Sequence, residues 1–301
     1  MKRIFILGAD GFIGRRLAEY LAASGHAVVA ATRRPARFTH SAIESEVCAF
    51  SHRNDFTLLH SCDTVIHAAS SSTPGSSAAQ PQLDGNLRTT LALIEALQRP
   101  PKPRVVYLSS GGTLYGEAVG EVDESAPLQP NSYHAAGKIA AEYFLRAWAT
   151  QYSGDLVILR PSNVYGPGQQ PRPGFGIIPT AFASAITGTP IHVLGDGGSI
   201  RDYLYIDDLL SLCDAIVRER PETAVRVLNA ASGIGITLNV LLDAIDRVTG
   251  RPVSRIYEPK RSIDLGCVRL DNTAACHRYR WRPRISIGDG LVRTWAWQQQ
   301  A

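Results

Sequence analysis

Arg3-Ile4-Phe5-Ile6-Leu7-Gly8-Ala9-Asp10-Gly11-Phe12-Ile13-Gly14 is the stretch that decides the fold. A short apolar run with strand character meets three glycines, each separated from the next by two residues. Phe12–Ala23 then carries apolar residues at three- and four-residue steps, the period of a helix. Glycine is needed here for a tight turn, for backbone approach to a pyrophosphate, and for close contact between helix and strand. Asp10, Phe12 and Ile13 fill the turn, and the first N–H groups of the helix point towards an anion. A glycine turn without a ligand is the plainer reading, but the position at the head of a strand–helix–strand unit favours a dinucleotide.

Outward from this turn the pattern repeats. Residues 4–7, 27–31, 64–68, 105–108 and 156–159 read as strands rich in Val, Ile and Leu, and 12–23, 82–97 and 135–151 as helices. Near-continuous apolar strands alternating with helices imply an α/β protein, a doubly wound parallel sheet covered on both faces. Beyond Tyr165 a Gly/Pro-rich stretch, Gly166-Pro167-Gly168 through Pro171-Arg172-Pro173-Gly174, changes the texture. The expected division is therefore a dinucleotide-binding domain over 1–165, with later strands added from the C-terminal half, and a smaller substrate lobe over 166–301.

The net charge of +4 on 301 residues is mild. The arginines at 278, 280, 282, 284 and 293 come with no nucleic-acid motif, so a solvated face or a small anionic substrate is expected. Five cysteines without CxxC spacing and eight histidines without HxxxH exclude a patterned metal site and suggest a reducing compartment. The first apolar run is too short for a signal peptide, and no stretch reaches the roughly 18 apolar residues of a membrane span. A cytoplasmic protein is expected.

The second strand of such a unit normally ends in an acid that binds the adenosine ribose. Here Thr32 stands at that place, followed by Arg33 and Arg34. Without the acid a 2′-phosphate is not repelled, and an arginine fork can pair with it. The expected cofactor is NAD(P), with NADP favoured over NAD; the alternative is that both arginines only solvate a loop.

Further motifs now add up. Asp63-Thr64-Val65-Ile66-His67-Ala68-Ala69, the segment from Asn86, Ser109-Ser110-Gly111-Gly112-Thr113-Leu114-Tyr115-Gly116, Leu159-Arg160-Pro161-Ser162-Asn163-Val164-Tyr165-Gly166 and Gly195-Asp196-Gly197-Gly198-Ser199-Ile200-Arg201-Asp202-Tyr203 follow one another along nearly the whole chain. Together they resemble the extended short-chain dehydrogenase/reductase family, in its nucleotide-sugar epimerase/dehydratase branch. The resemblance implies a Rossmann-type sheet, cofactor contacts from His67, Ala68, Ala69, Asn86, Ser109, Lys138 and Pro161, and a nucleotide diphosphate sugar as partner. It also implies substrate contacts from Tyr115, Asn163, Arg201, Arg261 and Asp264, and a homodimer through helices 82–97 and 135–151. Arg201 pairing with Asp202 or Asp207, and Asn163 satisfying a sheet-end backbone, are the plainer alternatives.

The catalytic pattern departs from the family's. Its YxxxK spacing places tyrosine and lysine four residues apart, but Tyr133 and Lys138 are five apart, and His134 holds the aligned position. A four-residue step leaves two side chains about 40° apart around a helix and a five-residue step about 140°. Gly111 stands where the family's hydroxyl carrier belongs, leaving Thr113 and Ser110 as donors. Three readings stay open: His134 as the acid/base, a phenol from Tyr133 or Tyr115, or a protein that binds both ligands without turnover. The expected function is a nucleotide-sugar 4-epimerase acting on a UDP-hexose. An NADPH-dependent 4-ketoreductase and a non-catalytic dinucleotide-binding protein are the alternatives.

Overall fold

Ile4 and Ile6 face one side of the first strand, Phe5 and Leu7 the other, and all four are fully buried. A strand apolar on both sides needs cover on both. Helices Phe12–Ala23 and Ile206–Arg218 cover the first side through Leu17, Leu21, Leu209 and Ile216. Helices Arg88–Leu97 and Tyr133–Tyr152 cover the second through Leu93, Leu97, Leu145 and Trp148. Each such side chain contributes about 1.5–3 kcal/mol by leaving water. These relationships come from a computed structural model, which describes residues 1–70, 78–117, 120–172, 175–261 and 265–300.

The large sheet holds seven parallel strands in the order Val225–Ala230, Leu156–Pro161, Arg104–Leu108, Thr64–His67, Arg3–Leu7, Ala27–Thr32, Ile43–Val47. The chain begins in Arg3–Leu7, runs outward to Ile43–Val47, then returns to the opposite side with Thr64–His67. This reversal opens a crevice beyond the carboxyl ends of Arg3–Leu7 and Thr64–His67, the place where doubly wound sheets take ligands. The Rossmann-type architecture expected from the sequence is present.

A second sheet joins Gly235–Thr237, Ile200–Tyr205, Cys267–Leu270 and Glu121–Val122, with Asn163–Tyr165 paired to Ile200–Tyr205. Chain exchange between the sheets runs both ways: Val225–Ala230 enters the large one and Glu121–Val122 the small one. No helix among the described residues is long and apolar enough to cross a membrane.

Two helices differ from expectation. The segment expected as one helix over 82–97 consists of Gln80–Gln82, a π-helical turn Leu83–Leu87, and Arg88–Leu97. Asp84 and Gly85 are weak helix formers. The wider turn also lets buried Asn86 donate through Nδ2 to Gln82 Oε1 at 2.9 Å. The helix expected from 135 begins at Tyr133, because Ser132 Oγ accepts the N–H of Ala135 and caps it.

Candidate active site

The glycine turn is tightly packed. Gly8 has φ +86°, and a Cβ on it would lie 2.6 Å from Ala69 Cα. A Cβ on Gly14 would lie 2.1 Å from the Gly8 carbonyl oxygen, so the helix sits against the turn as only glycine allows. Gly11 differs: its N–H closes the turn on the Gly8 carbonyl at 3.1 Å, and a Cβ there meets only that oxygen, at 3.4 Å. What Gly11 keeps clear is the space before the helix. Phe12–Ala23 has no side-chain cap and no acid in its first turn, leaving its leading N–H groups to an anion.

Asp10, Arg33 and Arg34 line a hollow of about 320 Å³ at the end of the second strand. Thr32 ends the second strand. It is fully buried, and its hydroxyl donates to the Arg34 carbonyl at 2.7 Å, shaping the turn that exposes both arginines. His67, at the end of its own strand, lies inside the protein. Its Nε2 meets Thr90 Oγ1 at 3.0 Å, and since that hydroxyl donates to the Asn86 carbonyl, the ring nitrogen donates. Burial, and then the charge of Lys138, hold His67 down to about 3. Ala68 and Ala69 remain half-buried at the crevice.

The helix Tyr133–Tyr152 brings the candidate catalytic groups together. His134 and Lys138, one turn apart on the same side, are both buried, whereas Tyr133 is exposed. Lys138 Nζ donates to the Leu108 carbonyl at 2.9 Å and lies 5.0 Å from the Tyr107 ring centre. Burial lowers Lys138 to about 8 against the raising effect of Glu142. Burial, then Lys138, lowers His134 to about 4. Thus at neutral pH the imidazole is uncharged and the ammonium charged. The short helix Gly111–Leu114 packs against this helix, and on it Thr113 Oγ1 and Ser110 Oγ stand 2.9 Å apart. Gly111 cannot carry a hydroxyl: its Cβ would lie 2.7 Å from the Arg160 carbonyl oxygen and 2.3 Å from Leu270 Cδ1.

Several expected ligand contacts are engaged within the protein. The Tyr115 phenol is not at a substrate surface. It is buried, donates to Asn229 Oδ1 at 2.7 Å, accepts from Arg160 Nη1 at 2.9 Å, and is pushed up to about 12 by burial. It is therefore unsuited to supply the acid/base. Ser109 Oγ donates to Glu142 Oε1 at 2.5 Å, and Pro161 ends a buried strand. Asn163 Nδ2 donates to the Asp202 carbonyl at 2.8 Å, the sheet-end role named above as the plainer one. Arg201 donates to the carbonyls of Ile200 and Leu265, at 2.8 and 2.7 Å. Its two suggested acids are held elsewhere, Asp207 by Arg16 at 2.8 Å and Asp202 by the N–H groups of Ser232 and Gly233. Arg261 is exposed; Asp264 lies outside the described residues. Reading the sequence missed the buried pair Glu142 and Arg160, whose signal was an arginine in the otherwise apolar strand Leu156–Pro161.

A glycine cradle at the switch point of a parallel sheet, with a buried lysine one turn from a potential base, defines an enzyme that uses a nicotinamide dinucleotide. The chain belongs to the NAD dependent epimerase/dehydratase family, whose pattern matches residues 4–231. It is 32% identical over 306 residues to the UDP-glucose 4-epimerase of Mycolicibacterium smegmatis, with 97% of each chain covered. It is 29% identical over 237 residues to the dTDP-4-dehydro-6-deoxyglucose reductase of Escherichia coli, covering 77% of this chain and 73% of the reductase. The UDP-glucose 4-epimerase of Thermotoga maritima, solved with UDP-glucose, superposes with a TM-score of 0.90 at 26% identity over 99% of both chains.

Proposed function

We propose that this chain is a nucleotide-sugar 4-epimerase acting on a UDP-hexose, with His134 as its acid/base. The observation that carries the assignment of the base is that the capped helix turns His134 inward beside Lys138 and leaves Tyr133 outside. Gly8, Gly11 and Gly14 would hold the pyrophosphate, and the crevice edge at Ala68 and Ala69 the rest of the dinucleotide. When bound, the nicotinamide reversibly accepts hydride from the sugar carbon.

The chain's own groups manage the proton. Uncharged His134 accepts it from the sugar hydroxyl and returns it. Thr113 and Ser110 hold the hydroxyl oxygen in line, and Lys138 supplies positive charge where negative charge develops. Asn163, Arg201 and Arg261 are assigned to the nucleotide diphosphate side, the two arginines as planar donors.

Three finer assignments belong to this reading. NADP is favoured over NAD because exposed Arg33 and Arg34 flank the hollow and no acid ends the strand. A homodimer is assigned to the helix faces that expose Leu83, Tyr143 and Phe144. A cytoplasmic location fits five cysteines that are all unpaired.

The test is mass spectrometry of cofactor released from the purified protein, with NMR-monitored turnover of UDP-glucose, UDP-N-acetylglucosamine and UDP-glucuronate. Inversion at the fourth carbon without added cofactor supports the epimerase. A second reading, the 4-ketoreductase, is favoured by the Arg33–Arg34 pair; it requires stoichiometric consumption of added NADPH by a 4-keto sugar. Bound cofactor without turnover of either kind leaves a binding protein.

A further inference from the structure

A chain of buried polar groups runs from the helix bearing His134 and Lys138 into the second sheet. Glu142 follows Lys138 by one helical turn and is 1% exposed; Arg160 is 2% exposed. The carboxylate takes Arg160 in a two-pronged pair, Nη2 to Oε2 at 2.7 Å and Nε to Oε1 at 3.1 Å, and Oε1 also accepts Ser109 Oγ–H. Beyond it Arg160 donates to the Tyr115 phenol, which donates to Asn229. Asn229 Nδ2 in turn reaches the carbonyls of Val122 and Asp271, both at 3.0 Å. Buried charges persist only when paired and hydrogen-bonded, so this pair is fixed in place.

The groups facing Lys138 are few. His134 lies on its own helix, His67 comes from the strand Thr64–His67, the Tyr107 ring from Arg104–Leu108, and Glu142 from one turn along. Both histidines are uncharged at neutral pH, and Tyr107, held well above the usual phenol range, is too. Glu142 is the negative charge of the set, and Arg160, which its carboxylate holds at 2.7 Å, is the positive charge beyond it.

We propose that Glu142 is a positioning residue that keeps Lys138 charged and, through Arg160, locks the catalytic helix to the strands beneath the substrate. Its importance for turnover rests on the reading of Lys138 given above; its effect on the lysine charge does not. A neutral residue at 142 removes the favourable field, and Lys138 gives up its proton at lower pH.

The chain has four lysines, at 2, 102, 138 and 260, so ¹³Cε-lysine NMR resolves Lys138, with Lys138→Arg assigning the signal. The wild type is expected to titrate near about 8. Glu142→Gln is expected to titrate about one unit lower, so that the charged fraction at pH 8 falls roughly fivefold while that at pH 6 hardly changes. Since Glu142→Gln leaves Arg160 buried alone, Glu142→Gln/Arg160→Met is measured beside it, and a smaller shift in the same direction is expected. An unshifted midpoint in a folded variant, by circular dichroism, overturns the proposal whether or not the protein turns over a sugar. If the wild type is an epimerase, the alkaline limb of kcat moves with the NMR midpoint; a limb that stays while the midpoint moves overturns the role in turnover alone.

Discussion

Tyr133 and His134 are consecutive in the chain, yet Tyr133 is 53% exposed and His134 only 6%. The cap on Ser132 makes the helix regular from its first residue, so the two side chains diverge by about 100°. The phenol of Tyr133 is thereby turned outward and the imidazole of His134 inward.

Replacement of these neighbours should have unequal effects. His134→Ala is expected to lower kcat by about 10²–10⁴-fold, the usual worth of a general acid/base. Tyr133→Phe should leave kcat within about twofold, since an exposed phenol contributes little. Turnover of UDP-glucose followed by NMR checks both; a larger loss in Tyr133→Phe would transfer the base to the phenol.

The pH profile gives an independent check. A base lowered to about 4 and a lysine lowered to about 8 leave both in their working states between those values. The rate constant should therefore be flat from about pH 5 to 7 and decline above it as Lys138 loses its charge. A tyrosine base would instead make activity climb with rising pH.

The three glycines should separate by role. Gly14→Ala places a methyl 2.1 Å from the Gly8 carbonyl oxygen, forcing backbone movement. A loss of about 1–3 kcal/mol in urea unfolding is expected, as for other overpacked sites. Gly11→Ala meets only ordinary contact and should keep stability within about 0.5 kcal/mol. Its cost should appear as weaker dinucleotide binding by calorimetry, because the methyl enters the ligand's space.

The proposed preference for NADP rests on Arg33 and Arg34. The double change to alanine should weaken NADP binding by about tenfold or more, corresponding to a lost charge-assisted pair, and leave NAD nearly unaffected. Equal losses for both cofactors would reduce the arginines to a general attraction for anions.

Stability should fall in mild acid. His67 and His134 are held down to about 3 and about 4, below the 6.5 of an unfolded histidine. Between about pH 6.5 and 4 the unfolded chain therefore binds protons that the native one does not, and stability drops as pH falls. The contribution is fully present above 6.5. His67→Asn should flatten the slope by about 1 kcal/mol per pH unit, measured by urea unfolding at pH 7, 6 and 5.

The sequence by itself determined the strand–helix alternation, the glycine turn and the family to which the chain belongs. The first two follow from local periods of two and 3.6 residues, which backbone geometry imposes; the family was legible as a resemblance carried by motifs along nearly the whole chain. Even the His134–Lys138 face was legible, as a four-residue step on a helix. Tertiary structure decided the rest. That Thr32 turns into the core, that Tyr115 belongs to Asn229 across 114 positions, and that Arg160 meets Glu142 all depend on which strands become neighbours. The π turn at Leu83–Leu87 likewise seats Gln82 and Asn86 against the helix at Gly137, whose missing side chain makes their room. Partners brought together only by packing leave no periodic mark, because burial, and not spacing along the chain, sets the cost of leaving a polar group unpaired.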